Sequence, residues 1–263
     1  MSKINELSFS IKKESMSQLI DVLKDLSKLN DKVLLKIDKK NTLIYSTVGN
    51  GNAINAFKNF IFKTDDIFKG MGDFDETIHF IIKSGKQMCN TLRIIASFDS
   101  DVTGKIFFDS VGTTVYADRL YLKVGSKLRQ NFYGGDPRSM NININISDIK
   151  KIANVENADY SFDLESDDFD KIKKLSSSED VINIYYLNVY EKNEKFYISV
   201  GEGPWDITVA ETEYNRPCSL AFPKKYFKSI NLVNKTVKIH VFDNMILAVT
   251  ENSNLLISVE ITV

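Results

Sequence analysis

Leu7-Ser8-Phe9-Ser10-Ile11 and Tyr160-Ser161-Phe162-Asp163-Leu164 carry one pattern, apolar at the first, third and fifth places and polar between, and each opens one half of a 263-residue chain. Such alternation marks a strand that buries one face. Further along, Val48-Gly49-Asn50-Gly51 in the first half answers Val200-Gly201-Glu202-Gly203 in the second, one residue out of step with the first match. Between these landmarks the order of elements agrees: a short strand, an amphipathic helix, two strands around a polar turn, a Gly-x-Gly turn and another strand. One matched dipeptide arises by chance, but an ordered series is an internal repeat.

The helix of the first half places Met16, Leu19, Ile20, Leu23 and Leu26 on one stripe and turns Ser17, Asp21, Lys24 and Lys28 away from it. Its counterpart sets Phe169, Ile172 and Leu175 against Asp167, Lys171 and Lys174. Two hairpins follow, Val33 to Asp38 with Leu43 to Val48, and Val181 to Tyr190 with Lys195 to Val200, their turns built from Lys, Asn and Glu. Each half then repeats its own plan. Strand Glu76 to Ile82 precedes a helix near Gly85 to Ala96 and strands Gly104 to Asp109 and Thr113 to Val124. Strand Cys218 to Phe222 runs into a short helix opened by Pro223, then strands Thr236 to Phe242, Met245 to Thr250 and Leu255 to Val263. Four helices are expected, two per half. The Gly134-Gly135-Asp136-Pro137 turn cluster and the alternating Ile142 to Ile146 stretch separate the halves. The expected division is a first domain over 1–124, a linker region over 125–157 and a second domain over 158–263.

Composition narrows the function. With 43% hydrophobic and 26% charged residues the chain can build a core, and no apolar run approaches the roughly 20 residues of a membrane span. The first residues, Met1 to Glu14, lack the apolar centre of a signal peptide, so an intracellular site of action is expected. Cys89 and Cys218 stand apart, without the spacing of a disulfide framework or a zinc site. A net charge of -1, from 34 basic and 35 acidic residues, excludes a protein that grips nucleic acid through a general basic excess. One segregated basic surface remains possible.

Catalytic chemistry is poorly supplied. His79 and His240 are both flanked by apolar residues in strands, which suits structural histidines better than an acid/base pair. No GxSxG or Walker A sequence occurs, and Gly49-Asn50-Gly51 and Gly70-Met71-Gly72 read as turns. Asp99-Ser100-Asp101 and Asp167-Asp168 lack the glycine and distal glutamate of a calcium loop, and Trp205 reads as a packing anchor. Neither an enzyme nor a metal or cofactor is expected.

A strand, a helix and antiparallel strands, repeated twice per half with a linker between and a strand at the C-terminal end, resemble the DNA polymerase sliding clamps over almost the whole chain. The likeness is to the two-domain type of tailed phages and of eukaryotes and archaea. It implies an α+β fold of duplicated clamp domains, antiparallel sheets outside and two helices per domain lining a pore. It further implies a homotrimeric ring that encircles duplex DNA without reading sequence, tethers the replicative polymerase and is loaded by a clamp loader ATPase. The DNA-facing residues would be Lys24, Lys28, Lys86, Arg93, Lys171, Lys174, Lys224 and Lys228. Acidic clusters such as Asp65-Asp66, Asp73 to Glu76 and Glu211 to Glu213 fall in turns and strands, as suits an outer surface. Strand Tyr116 to Val124, through Tyr116, Leu120 and Leu122, would pair with Ile207, Val209 and Glu211 of the next subunit. A partner-peptide groove would gather Val48, Leu128, Phe132, Tyr133, Met245, Val259 and Ile261. Two other readings stand beside this one: a monomeric viral processivity factor of the same fold, and a non-catalytic structural β-rich protein.

Overall fold

Helix α1 (Lys13–Leu29) forms because its apolar residues recur on one face, and Met16, Leu19, Ile20, Leu23 and Leu26 are all buried as the periodicity predicts. The structure is a computed structural model, and it describes residues 5–50, 53–98, 100, 102–111, 114–126, 128–140, 144–152, 154–175, 183–202, 205–230, 236–250 and 253–262. The described chain divides into two units, residues 1–48 with 58–144, and residues 49–57 with 145–263.

In the first unit, β1 (Asn5–Ile11) leads to α1, β2 (Val33–Ile37), β3 (Asn41–Asn50) and β4 (Ala53–Lys63). The short α2 (Thr64–Ile67), β5 (Ile78–Ile82), α3 (Gly85–Ala96), β6 (Val102–Val111), β7 (Thr114–Val124) and β8 (Leu128–Tyr133) complete it. Its strands run β1-β6-β7-β5-β2-β3, antiparallel except where β5 meets β7, and the later residues of β4 follow β3. Val33, Leu35, Ile37, Phe80, Ile82 and Ile106 supply the sheet side of the core, and α1 and α3 cover it. Ser84 starts α3 by accepting a hydrogen bond from Gln87 N at 3.2 Å. Gly85 is required by the crowding of the two helices: a Cβ there would collide with Ser27 Oγ and crowd Val33, while its N–H donates to Asp31 O at 2.7 Å.

The second unit holds α4 (Ile146–Ile152), β9 (Tyr160–Glu165), α5 (Ser166–Leu175), β10 (Ile184–Lys192), β11 (Lys195–Glu202), β12 (Trp205–Thr212) and β13 (Cys218–Pro223). A four-residue α6 (Lys224–Phe227) follows, then β14 (Thr236–Phe242), β15 (Met245–Val249), β16 (Ser253–Ser258) and β17 (Glu260–Thr262). One run of strands is β16-β15-β14-β9, with Ser258 Oγ donating to Ile54 O at 2.9 Å; the other is β12-β11-β10-β13-β17. Asn193 and Glu194, with φ of 54° and 62°, form the tight turn expected between β10 and β11. Phe169, Tyr185, Phe222 and Phe227 close the core, with the Phe169 and Phe227 rings 5.1 Å apart.

The repeated α+β plan is as read from the sequence, with two additions and two corrections. Short helices α2 and α4 join the expected ones. The linker does not begin after Val124, since Leu128–Tyr133 is a six-residue strand bonded to β7, and Gly134 N and Gly135 N donate to Asp118 O and Ile81 O at 2.7 Å each. For the same reason β7 is not a free edge. Between Arg119 and Val124 it has β6 on one side and β8 on the other, and Leu120 and Leu122 are core residues. The segment 176–182, containing the expected start of the second hairpin at Val181, and the second glycine of each Gly-x-Gly turn lie outside the described residues.

Both histidines serve the fold. His79 is buried in β5 and donates from Nδ1 to Val115 O at 3.2 Å; burial, with Lys36 on the adjoining strand, pushes its pKa below the ordinary 6.5. His240, 2.7 Å from Ser161 Oγ, is pushed down by burial and by Lys238. With depressed folded-state values, the unfolded chain takes up protons that the folded chain refuses once pH falls below the ordinary histidine value. Stability is therefore complete above about 6.5 and declines as pH drops through that value towards the folded pKa. Thermal unfolding followed between about pH 8 and about pH 5 should show this decline, and the double variant His79→Gln/His240→Gln should flatten it.

Candidate nucleic-acid interface

Because the apolar stripes of α1 and α3 are buried, their remaining faces meet solvent. Lys24 and Lys28 of α1 and Lys86 and Arg93 of α3 are exposed, as are Asp21 and Asn90. The two helices touch, Cys89 Sγ donating to Ile20 O at 3.6 Å, so these four cations stand on adjacent helices of one unit. In the second unit the Phe169 to Phe227 contact joins α5 to α6, and Lys171, Lys174, Lys225 and Lys228 are exposed there. Acids dilute this group: Lys171 Nζ lies 2.7 Å from Asp168, and Asp167 and Asp170 are exposed beside it. Positive side chains on successive exposed helical turns can hold a phosphate backbone without reading bases.

Lys224 departs from its expected place. It is buried, its Nζ 2.5 Å from Glu202 Oε2 and 5.6 Å from the centre of the Tyr185 ring. Helix α6 is a single turn, too short to set Lys224, Lys225 and the capping Lys228 on one face, and the first of them turns into the fold. A buried pair of this kind costs more to break than to omit. Lys225, exposed and absent from the sequence-based set, takes the outward place.

Tyr116, Leu120 and Leu122 belong to a strand flanked on both sides, whereas Ile207, Val209 and Glu211 lie on β12, at the end of its five-stranded sheet. Among the described strands of the first unit, β1, at the end of the sheet order, and β8, which pairs with β7 and ends at the exposed Tyr133, each have an open side. The alternation of Leu128, Gln130 and Phe132 with Arg129, Asn131 and Tyr133 in β8 was a legible strand signal inside the supposed linker. The expected peptide-groove residues are dispersed. Phe132 and Tyr133 line a cavity of about 260 Å³ in the first unit with Phe80, Met88 and Gln130. Leu128 pairs with Val124, and Val48 is half-buried near the end of β3. Val259 lines a cavity of about 240 Å³ in the second unit, walled by Ile184, Phe222, Pro223, Tyr226 and Asn55. Met245 opens β15, and Ile261 pairs through its backbone with Leu220, its side chain lying outside the described residues.

Among the described residues no group of three or more His, Cys, Asp or Glu is placed to hold a metal ion, and no helix is long and apolar enough to cross a membrane. Asp99 and Asp101 lie outside the described residues, as does the side chain of Trp205.

This architecture is the sliding-clamp fold. The solved clamp of Helicobacter pylori bound to a DNA ligase peptide is similar over 97% of this chain and 66% of its own, with a TM-score of 0.59 and 11% identity. Proliferating cellular nuclear antigen from Entamoeba histolytica is similar over 99% of this chain and 100% of its own, with a TM-score of 0.60 and 11% identity. A putative DNA polymerase III beta subunit from Eubacterium rectale gives 99%, 67%, 0.63 and 11%. The chain thus spans about two thirds of the length of these bacterial clamps. By sequence alone it matches no protein-family model and no curated protein.

Removing the Lys224 ammonium leaves Glu202 without its partner. Lys224→Met should lower the unfolding free energy by about 3 kcal/mol, whereas Lys225→Met should stay within about 0.5 kcal/mol of the parent. Chemical denaturation measures both.

Proposed function

We propose that this chain is a DNA polymerase sliding clamp, a non-catalytic processivity factor that surrounds duplex DNA inside the cell and tethers a replicative polymerase. The observation that carries this reading is the conjunction of a clamp fold along the whole chain with exposed cations on the helices of both units. Near-neutral net charge is compatible with it, because a ring holds DNA by topology and needs only loose phosphate contacts. Three copies would close the ring, the open side of β8 pairing with β12 of the next copy in place of the β7 pairing that the sequence suggested. A closed ring cannot thread onto DNA without ends, so an ATP-driven clamp loader is required. Replacing Lys24, Lys86, Lys171 and Lys228 together by Glu should abolish polymerase stimulation on primed circular DNA while leaving the three-chain mass in sedimentation. Full stimulation by that variant would remove these faces from the DNA path, and a one-chain mass for the parent protein would replace the ring by a monomeric processivity factor.

The peptide partner is supported by a pocket and by a neighbour, since the Helicobacter pylori clamp was solved with a DNA ligase peptide. Here the cavity beside Val259 is walled by buried Phe222 and Tyr226, with Ile184 38% exposed at its side. An apolar anchor from the polymerase's terminal peptide would fill it, adjacent strands offering main-chain bonds. Ile184→Glu should weaken that peptide, measured by titration calorimetry, by about tenfold or more, the effect of disturbing one anchor site. Unchanged affinity would send the peptide elsewhere.

A further inference from the structure

Asp25 sits on α1 beside the outward lysines yet is only 2% exposed, and two ammonium groups reach it. Lys58 of β4, itself 1% exposed, places Nζ 2.5 Å from Asp25 Oδ2; Lys28, 45% exposed, places Nζ 3.4 Å from Oδ1. Lys58 Nζ also lies 5.9 Å from the centre of the Phe60 ring. A lysine in such surroundings is costly to keep charged, and burial does push its pKa down against the attraction of Asp25. Replacing both partners by apolar residues commonly leaves a fold as stable or more so, so the pair needs another account.

Charge arithmetic along the helix supplies one. From the α1 sequence alone, Asp21 and Asp25 offset Lys24 and Lys28, and the helix would present no net charge. Asp25 is held in a low-dielectric position, and without Lys58 its carboxylate would draw in more strongly the other cation beside it, Lys28, already 3.4 Å from Oδ1. Resting on the proposal that this helix face meets DNA, we infer that Lys58 is a positioning residue for nucleic-acid binding: a buried counter-cation that takes Asp25 Oδ2 at 2.5 Å and so leaves Lys28, at the longer 3.4 Å from Oδ1 and 45% exposed, able to turn to a phosphate. Lys58 acts through Asp25 and touches no DNA.

The test is the salt dependence of binding to a short blunt-ended duplex carrying fluorescein, since each phosphate contact adds about 0.9 to the slope of log K against log salt. Lys28→Met should lower the slope through loss of its contact. Lys58→Gln, which keeps a donor for Asp25 without the charge, should lower it by the same amount, and the two changes together should lower it no further. Asp25→Asn combined with Lys58→Met, a neutral replacement of the pair, should restore the parent slope, and it keeps the test open should Lys58→Gln fold poorly. A parent-like slope in Lys58→Gln alongside a reduced one in Lys28→Met would overturn the inference and leave Lys58 a purely structural residue. A reduced slope in the Asp25→Asn/Lys58→Met protein would overturn it equally. If Lys28→Met itself binds with the parent slope, the placement of DNA on this face fails first, an outcome distinct from both.

Discussion

Burial of one helical stripe against one sheet face is the constraint from which the other features descend. Leu23 and Leu26 of α1 and Leu92 and Ile95 of α3 have no exposed surface, and a helix of this length gains its stability from such packing more than from propensity. Once that stripe is committed to the core, the opposite face has no freedom: whatever lies one half-turn away must meet water. The close approach at Gly85 brings the start of α3 against the end of α1, so the two outward faces become neighbours. The second unit meets the same demand with less helix. There α6 is one turn long, and the rings of Phe169, Tyr185, Phe222 and Phe227 pack together beside it.

That commitment also sorts the lysines into two populations. Lys58 and Lys224 have followed the packing inward, each paired with a carboxylate and each near an aromatic ring. Lys24, Lys28, Lys86, Lys171 and Lys228 remain in solvent. Interior lysines are tolerated only when paired, so Asp25 and Glu202 are spent on the fold and do not count against the surface field. Each buried pair removes one charge of either sign, so the balance over the whole surface is unchanged; on α1 alone, burial of Asp25 against a strand lysine leaves the exposed face more positive than the helix sequence suggests.

Strand edges impose the complementary demand. β7 is closed by β6 and β8, and among the described strands the open sides fall to β1 and β8 in the first unit and to β9, β12 and β17 in the second. Open edges with exposed side chains such as Tyr133 invite pairing with another chain. The proposed pairing of β8 with β12 and the orientation of the helices would both follow from the same sheets.

The repeat, the helix stripes, the hairpins and hence the fold class were legible in the sequence, because periodicity reports which face of an element is buried and both halves carry it. Outward positions on the long helix α1 were legible for the same reason. Three things were decided only by tertiary structure. Which strand is the edge depends on what bonds to it, and the alternating residues of β7 read alike whether β8 covers them or not. The fate of Lys224 depends on a helix of one turn, where no periodicity exists to assign a face. The pairing of Asp25 with Lys58 joins residues far apart in the chain, and a local pattern carries no record of a partner brought in by the fold.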